Sequence, residues 1–407
     1  MSSRSPSDFP GVDAPIDVLI IGAGVMGAAT ACWLKRLDPD LQVALVERDY
    51  TFARASSTLS ASSIRQQFSC PVNIRLSQFG IAFLREVSEH LSCAGEPIDL
   101  GLTEAGYLYL ANADQADQLR AAWAIQNEHG AEIALMSADE LTRRFAWLNT
   151  EGVTLGALGM RGEGWFDGPA LHQAFLRKAM ALGVHRLHGE VKQVIGTGDE
   201  ASDRRQAHAV VLADGRRISF GCLVNAAGAW SASIMQTLGL SWPIGASRRT
   251  VFVLSCPTPL TDCPLLIDTT GYWMRPEGRF LIAGMAPRAD QDDLALEPDY
   301  AELDEAQWAI MAHRVPALEA MRIERAWAGY YEMNHFDHNA VIGPVWGFDN
   351  FYCIAGFSGH GMQHAPGAGL ALAEWIVAGA PTTIDVRPLS HDRIVRGAPL
   401  RELNVIG

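Results

Sequence analysis

Residues Ile16 to Glu47, IDVLIIGAGVMGAATACWLKRLDPDLQVALVE, most constrain what this chain can fold into. An apolar run, three glycines, an alanine- and leucine-rich stretch of helix length and a second apolar run closed by an acid make the spacing of a βαβ dinucleotide site. Gly22 suits the tight turn out of the first strand, Gly24 lets the backbone approach a pyrophosphate, and Gly27 lets the helix lie close on the sheet. Val25 and Met26 open that helix, where free N–H groups and the positive dipole end would face the phosphates. Glu47, twenty residues beyond Gly27, is placed to accept ribose hydroxyls. Because the motif begins so early, the nucleotide domain must be completed by chain that returns from much later.

The segments that follow carry further signals. Arg48 and the run RASSTLSASSIRQQF lead to Arg65; its small side chains would let backbone pass beneath a planar ligand, with Ser56, Ser57 and Ser62 supplying hydroxyls. The alternative is a flexible serine-rich loop with Arg65 as a surface salt-bridge residue. Apolar residues at helical spacing predict one packing helix from Pro71 to about Leu91, and alternation predicts a strand from Leu100 to Leu110. Asp167, with Pro169 two residues on, reads as the N-cap of a helix running to about Ala181. The stretch Cys222 to Trp230, CLVNAAGAW, is an apolar strand, small residues and a helix start. It brings Ala226, Ala227 and Gly228 close to another group, the same dinucleotide or only a tight turn. Ser247–Leu254, Leu265–Arg275 and Phe280–Met285 are β-rich and would build a second domain's sheet. Near the end, Phe351 to Ala355 reads as a strand running into GFSGHGMQHAPGAG and an apolar helix. Glycines massed at a helix start mean that backbone N–H groups approach a ligand closely.

Composition narrows the function classes. With 407 residues and 48% hydrophobic content, the chain can bury the cores of two domains. A formal net charge of −14 without a Lys/Arg stripe argues against a nucleic-acid partner. Seven scattered cysteines, odd in number and without C-x-x-C spacing, point away from a disulfide framework and toward a reducing compartment. The leader lacks an apolar core of signal-peptide length and nothing later reaches the length of a membrane span, so the expectation is a cytoplasmic protein. His335, His338, His360 and His364 have H-x-x-H and H-x-x-x-H spacings, but matched ligands and a second shell are not evident, and no metal is expected.

Taken together, GAGVMGAA with Glu47, NAAGAW, WAGYY and GFSGHGMQHAPGAG resemble the D-amino-acid oxidase/sarcosine oxidase (DAO) superfamily of FAD enzymes. Within it they resemble most the mitochondrial FAD-dependent oxidoreductase domain proteins linked to respiratory complex I assembly. The similarity runs from about Asp17 to the TIDVRPLS segment. It implies an α/β fold: a Rossmann-like FAD-binding domain with an α+β substrate domain built on a mainly antiparallel sheet that roofs the flavin. The expected division is a tail over residues 1–15, a discontinuous FAD-binding domain over 16–92, 150–230 and 335–407, and a substrate domain over 93–149 and 231–334. Implied cofactor contacts come from the three glycine-bearing segments, from Val191 and Trp230, and from Gly356, Gly359, His360, Gly361, Met362 and Gln363.

The chemistry the resemblance implies is oxidation of a C–N bond in an amino acid or N-substituted amino acid, with hydride passing to the flavin and the imine then hydrolysed. Arg65 matches an arginine near the substrate pocket of sarcosine oxidases, and His360 matches the histidine by the flavin. Tyr272, Trp273, Arg275, Tyr330 and Tyr331 fall on strands that the family places over the flavin, where the aromatic ones could equally be core. Arg248 and Arg249 read as pocket cations or as a solvated strand edge. Departures are specific. Gln363 replaces the carboxylate-binding lysine of sarcosine oxidases, and Tyr331 the carboxylate-binding arginine of glycine and D-amino-acid oxidases. Ile282 stands for the oxygen-activating lysine, which favours a dehydrogenase while leaving dehydrogenase or oxidase open, and Gly329 for the flavin-linking cysteine, which implies non-covalent FAD. The implied partners are a small amine or amino-acid substrate and oxygen, a quinone or an electron-transfer protein as acceptor. Assistance in assembling a respiratory complex, or oxidation of a 2-hydroxy acid, are the alternatives.

Overall fold

The computed structural model describes residues 15–198, 205–287 and 295–403; apart from Pro15, the expected tail lies outside them. The first strand, Ile16–Ile21, is buried at every position but one and pairs in parallel with Val43–Glu47 on one side and Arg217–Asn225 on the other. Continuous apolar character is what such an interior parallel strand requires. The sheet runs Val341–Pro344, Phe351–Ala355, Arg217–Asn225, Ile16–Ile21, Val43–Glu47, His185–His188, with Val191–Gly198 and Arg205–Leu212 extending from Arg217–Asn225 as an antiparallel ribbon. Only Val341–Pro344 runs antiparallel in the main path.

Four helices cover one face: Val25–Leu37, Pro71–Arg85, Gly168–Ala181 and Gly361–Ala378. Asp167 caps the third, its Oδ1 accepting from the Ala170 N–H at 2.8 Å, as its position in sequence indicated. Small residues set the spacing. A Cβ on Gly369 would lie 2.8 Å from that of Ala29, so the first and last of these helices meet almost backbone to backbone.

The second sheet has the order Arg322–Asn334, Ile244–Ser255, Phe280–Gly284, Trp273–Glu277, Leu265–Ile267, Tyr107–Ala111, Leu155–Gly159, Ile133–Ser137. It is antiparallel except where Leu265–Ile267 meets Tyr107–Ala111. Strand alternation puts Arg249, Trp273, Arg275 and Tyr331 toward the first domain, and Phe252, Leu266, Tyr272 and Met274 into a core on the far side.

Three expectations change. Leu155–Gly159, placed in sequence with the nucleotide-binding part, pairs with Tyr107–Ala111 and Ile133–Ser137 in the second sheet. It is buried throughout and carries no alternation that would reveal its partner. The helix expected from Pro71 to Leu91 breaks at Glu86 (φ −111°, ψ 23°) into Pro71–Arg85 and Val87–Leu91. The strand expected over Leu100–Leu110 is confined to Tyr107–Ala111, because Gly101 and Gly106 take φ of +58° and +89°.

Gly27 gives a direct test of the helix-to-sheet spacing. An added Cβ would overlap the Gly22 carbonyl oxygen, a backbone atom that cannot yield by a rotamer change. Gly27→Ala is expected to destabilise the protein by about 3 kcal/mol or more and to lower its bound flavin, measured by urea unfolding and by flavin released on denaturation.

Candidate active site

Between the two sheets lies a cavity of about 620 Å³. Its floor is the carboxyl end of the parallel sheet, where open α/β folds hold their ligands. The three glycine-bearing segments, each more than a hundred residues from the next in sequence, meet there. The first contributes Gly22, Gly24, Val25 and Met26; the second Ala226, Ala227, Gly228 and Trp230; the third Gly359, Gly361 and Met362. Glu47, Arg48, Val191 and the serines Ser56, Ser57 and Ser62 complete the nucleotide end.

The local chemistry explains the placement. Gly22 has φ +97°, and a Cβ there would lie 2.5 Å from the Ala226 carbonyl oxygen, so the first two segments touch only because the residue is glycine. Glu47 receives the Ala23 and Asp49 N–H groups, each at 2.9 Å, which fixes its carboxylate at the rim. Ser57 Oγ accepts from the Val25 N–H at 3.0 Å, tying the serine-rich segment to the glycine turn. Val25–Leu37 and Gly361–Ala378 both lack a side-chain N-cap bond and an acid in the first turn, and both start on the cavity wall. Two positive helix ends therefore face one space. The Arg48 guanidinium lies 3.8 Å from the Trp230 ring centroid, a stacked cation beside the same space.

Five expected site residues are not on the wall. Gly27 packs the helix against the strand, the role its spacing suggested. Gly356 (φ +78°) makes the turn beneath, where a Cβ would meet Ile244 Cδ1 at 2.6 Å. His360 is buried with its ring edge-on to Phe68 at 5.1 Å. Burial, reinforced by the Arg65 charge, holds its pKa well below the ordinary imidazole value. Gln363 lies behind Arg65, its Oε1 accepting the Arg65 backbone N–H at 2.6 Å. Tyr272 is a correction of a different kind: it is 0% exposed in the far-side core, because it immediately precedes the strand Trp273–Glu277, whose Trp273 and Arg275 take the cavity-facing positions.

Arg65 and Tyr331 do reach the cavity, at the end roofed by the second sheet. There Trp273, Tyr107, Arg249 and Arg275 join them. Tyr107 was not singled out in sequence, and its hydroxyl donates to Ser63 Oγ. Arg275 is occupied by the Ala61 carbonyl at 2.6 Å and by Glu277, and Arg249 donates to Ser247 Oγ at 2.6 Å. Arg65 differs. Only 9% exposed, its guanidinium lies 4.5 Å from the Phe68 ring centroid, and it makes no hydrogen bond or ion pair with the described residues.

A second missed residue is Glu332, half-buried on the wall. Its Oε1 accepts the Phe357 N–H at 3.4 Å, and burial pushes its pKa up to about 7 against the pull of that backbone donor. The signal available in sequence was an acid closing the run of small and aromatic residues AWAGYYE. Among the described residues no group of histidines, cysteines and acids is placed to hold a metal ion, and no helix is long and apolar enough to cross a membrane.

A parallel sheet whose glycine turns and helix starts converge on a cleft, roofed by an antiparallel sheet bearing aromatic and cationic side chains, defines an FAD-dependent oxidoreductase of two domains. The chain belongs to the FAD dependent oxidoreductase (DAO) family, whose family model matches residues 17–375. It is 39% identical to FAD-dependent oxidoreductase domain-containing protein 1 of Xenopus laevis, over 100% of this chain and 89% of that protein. L-proline dehydrogenase from P. horikoshii has the same fold, with a TM-score of 0.81 at 25% identity, covering 95% of this chain and 99% of that one. Glycine oxidase from Geobacillus kaustophilus follows with a TM-score of 0.76 at 23% identity, covering 92% and 97%.

The residues present fit FAD. Gly359 leaves room beside the Tyr331 ring that a Cβ would fill, at 2.6 Å, and the uncapped helix starts suit a diphosphate. Glu332 allows a pH test on the apoprotein. A carboxyl whose folded pKa is raised contributes stability that is fully present below about 4.5 and is lost as pH rises through about 7. Glu332→Gln removes that loss. Relative to the parent, the variant is expected to gain about 2–3 kcal/mol between pH 5 and pH 8, read from paired urea titrations. A difference that stays flat with pH would show that Glu332 ionises normally.

Proposed function

We propose that the protein oxidises the C–N bond of an amino acid or N-substituted amino acid, with Arg65 holding the substrate carboxylate. The observation that carries this reading is a buried guanidinium on the cavity wall with no hydrogen-bond or ion-pair partner among the described residues. A cation in that state is costly unless an anion joins it, and a carboxylate matches its planar fork bidentately. Bound FAD supplies acceptance of the hydride that leaves the substrate carbon. The side chains do the rest: Arg65 fixes the carboxylate, while Tyr331, Tyr107 and Trp273 wall the space over the reacting carbon and exclude water. Loss of a hydride and a proton leaves an imine, and water hydrolyses it after release. The amino-acid dehydrogenase and oxidase among the structural relatives support the substrate class.

The FAD is held without a covalent link in this reading, since neither a cysteine nor a histidine is among the cavity-lining residues. Ile282, which the resemblance sets at the oxygen-activating lysine of sarcosine oxidases, is 2% exposed and packed with Val251 and Val253, which favours a quinone or an electron-transfer protein over oxygen as acceptor. Reoxidation of the reduced enzyme by a soluble quinone is accordingly expected to outpace reoxidation by air-saturated buffer in stopped flow.

Anaerobic mixing of the holoenzyme with a panel of amino acids, N-alkyl amino acids and 2-hydroxy acids tests the substrate class. Bleaching of the flavin by at least one amino or N-alkyl amino acid is expected. Bleaching by hydroxy acids alone would change the class, and a flat spectrum throughout would leave a role exerted through other proteins, such as assembly of a respiratory complex. With a bleaching substrate in hand, Arg65→Ala is expected to raise KM by about a hundredfold while flavin stays bound, the loss of a charge-assisted bidentate contact.

A further inference from the structure

The segment that carries Arg65 is gripped by two buried carboxylates, and neither pairs with the cation. Glu163 is 0% exposed. Its Oε1 accepts the Gln66 backbone N–H at 2.6 Å, and its Oε2 accepts from Gln67 Nε2 at 2.8 Å. Gly159 makes room for it, since a Cβ there would overlap the carboxylate. From the other side comes Glu402, 7% exposed and near the end of the described chain. It accepts the backbone N–H of Ser69, the Ser69 hydroxyl at 2.7 Å, the Cys70 N–H at 3.1 and 3.2 Å, and Asn73 Nδ2 at 2.7 Å.

Cys70 is the N-cap residue of Pro71–Arg85 and makes no side-chain cap bond of its own, so Glu402 caps that helix from more than 300 residues away. The strand of chain bearing Glu402 is itself anchored. Arg393 pairs bidentately with Asp337 at 2.7 and 3.0 Å, and Asp337 also accepts the Leu400 N–H at 3.0 Å.

Two carboxylates and a guanidinium in one buried region would ordinarily collapse into ion pairs. Here the oxygens of both acids are taken up by N–H and O–H donors of Gln66, Gln67, Ser69, Cys70 and Asn73, so the segment is fixed while Arg65 keeps its charge for the cavity. We propose that Glu163 and Glu402 are positioning residues for substrate recognition, orienting Arg65 toward the cavity through the backbone and side chains that follow it and withholding a counter-ion from it. The proposal rests on the reading that Arg65 binds a substrate carboxylate.

The test titrates the holoenzyme with a series of small carboxylates from acetate to anthranilate and follows the shift in the flavin absorption band. In parallel, hydrogen exchange of the peptide spanning residues 65–73 reports whether the segment is loosened. Glu163→Ala, Glu402→Ala and the milder Ser69→Ala, which removes one acceptor contact of Glu402, are compared with Arg65→Ala. Expected is a tenfold or greater weakening of carboxylate binding for Glu163→Ala and Glu402→Ala, a smaller weakening for Ser69→Ala, faster exchange in that peptide, and flavin retained. With a bleaching substrate the same variants should raise KM while changing kcat less than about threefold, a split that general destabilisation would not give. If Arg65→Ala weakens carboxylates but the other three bind as the parent does, the positioning role is overturned and the substrate reading stands. If Arg65→Ala binds unchanged, or no carboxylate perturbs the parent, the substrate reading falls and takes this proposal with it. Should the glutamate variants lose flavin, Ser69→Ala decides: parent-like binding overturns the proposal.

Discussion

The close approach of the helix Val25–Leu37 to its strand and to the helix Gly361–Ala378 is the contact on which the rest depends. Gly27 lies on the Gly22 carbonyl, and Gly369 lies against Ala29, so no side chain separates these elements. That spacing brings the starts of two helices to one point at the carboxyl end of the sheet. Each start presents a positive dipole end with no side-chain bond from its own N-cap residue, though Ser57 takes up the Val25 N–H of the first. The nucleotide end of the cavity is therefore a product of backbone geometry, and it tolerates little variation in the residues that allow the approach.

The other end of the cavity is organised by charge. Three arginines line it, yet only the guanidinium of Arg65 makes no hydrogen bond or ion pair with the described residues, while Arg275 is held by Ala61 and Glu277. The two acids nearest the Arg65 segment are filled by N–H donors, and Gln363, which stands where related enzymes have a lysine, binds the Arg65 backbone. A second cation at that position would repel Arg65; an amide supports its segment without competing for the anion. The departures from the family pattern at Gln363 and Tyr331 thus fit together in the proposed reading, in which the Arg65 guanidinium takes the substrate anion.

Much of the first domain was legible in the chain because its signals are local. The glycine turn, the acid at Glu47, the N-cap Asp167 and the strand-to-glycine passages at Asn225 and Ala355 each state their own conformation within a few residues. The second sheet was legible as β-structure but not in its membership. Leu155–Gly159 carries no alternation, and its pairing with Tyr107–Ala111 is set by tertiary packing rather than by its own residues. The aromatic strand over the cavity shows the same limit: Tyr272 and Trp273 are neighbours in sequence, and parity alone sends one to the core and the other to the site.

By itself the sequence determined a dinucleotide fold, the convergence of three glycine-bearing segments and the arginine next to them, since each is written in residue types whose backbone or charge preferences hold in any context. Tertiary structure decided which of those residues touch the cavity and which stand behind it. His360, Gln363 and Gly356 lie within a few residues of the wall yet face away from it, and Glu163, Glu332 and Glu402 acquire their roles only from partners far off in the chain. The physical reason is that burial and hydrogen-bond satisfaction are properties of the assembled packing: a carboxylate or a guanidinium has the same intrinsic chemistry everywhere, and its surroundings alone determine whether it caps a helix, resists ionisation or waits for a ligand.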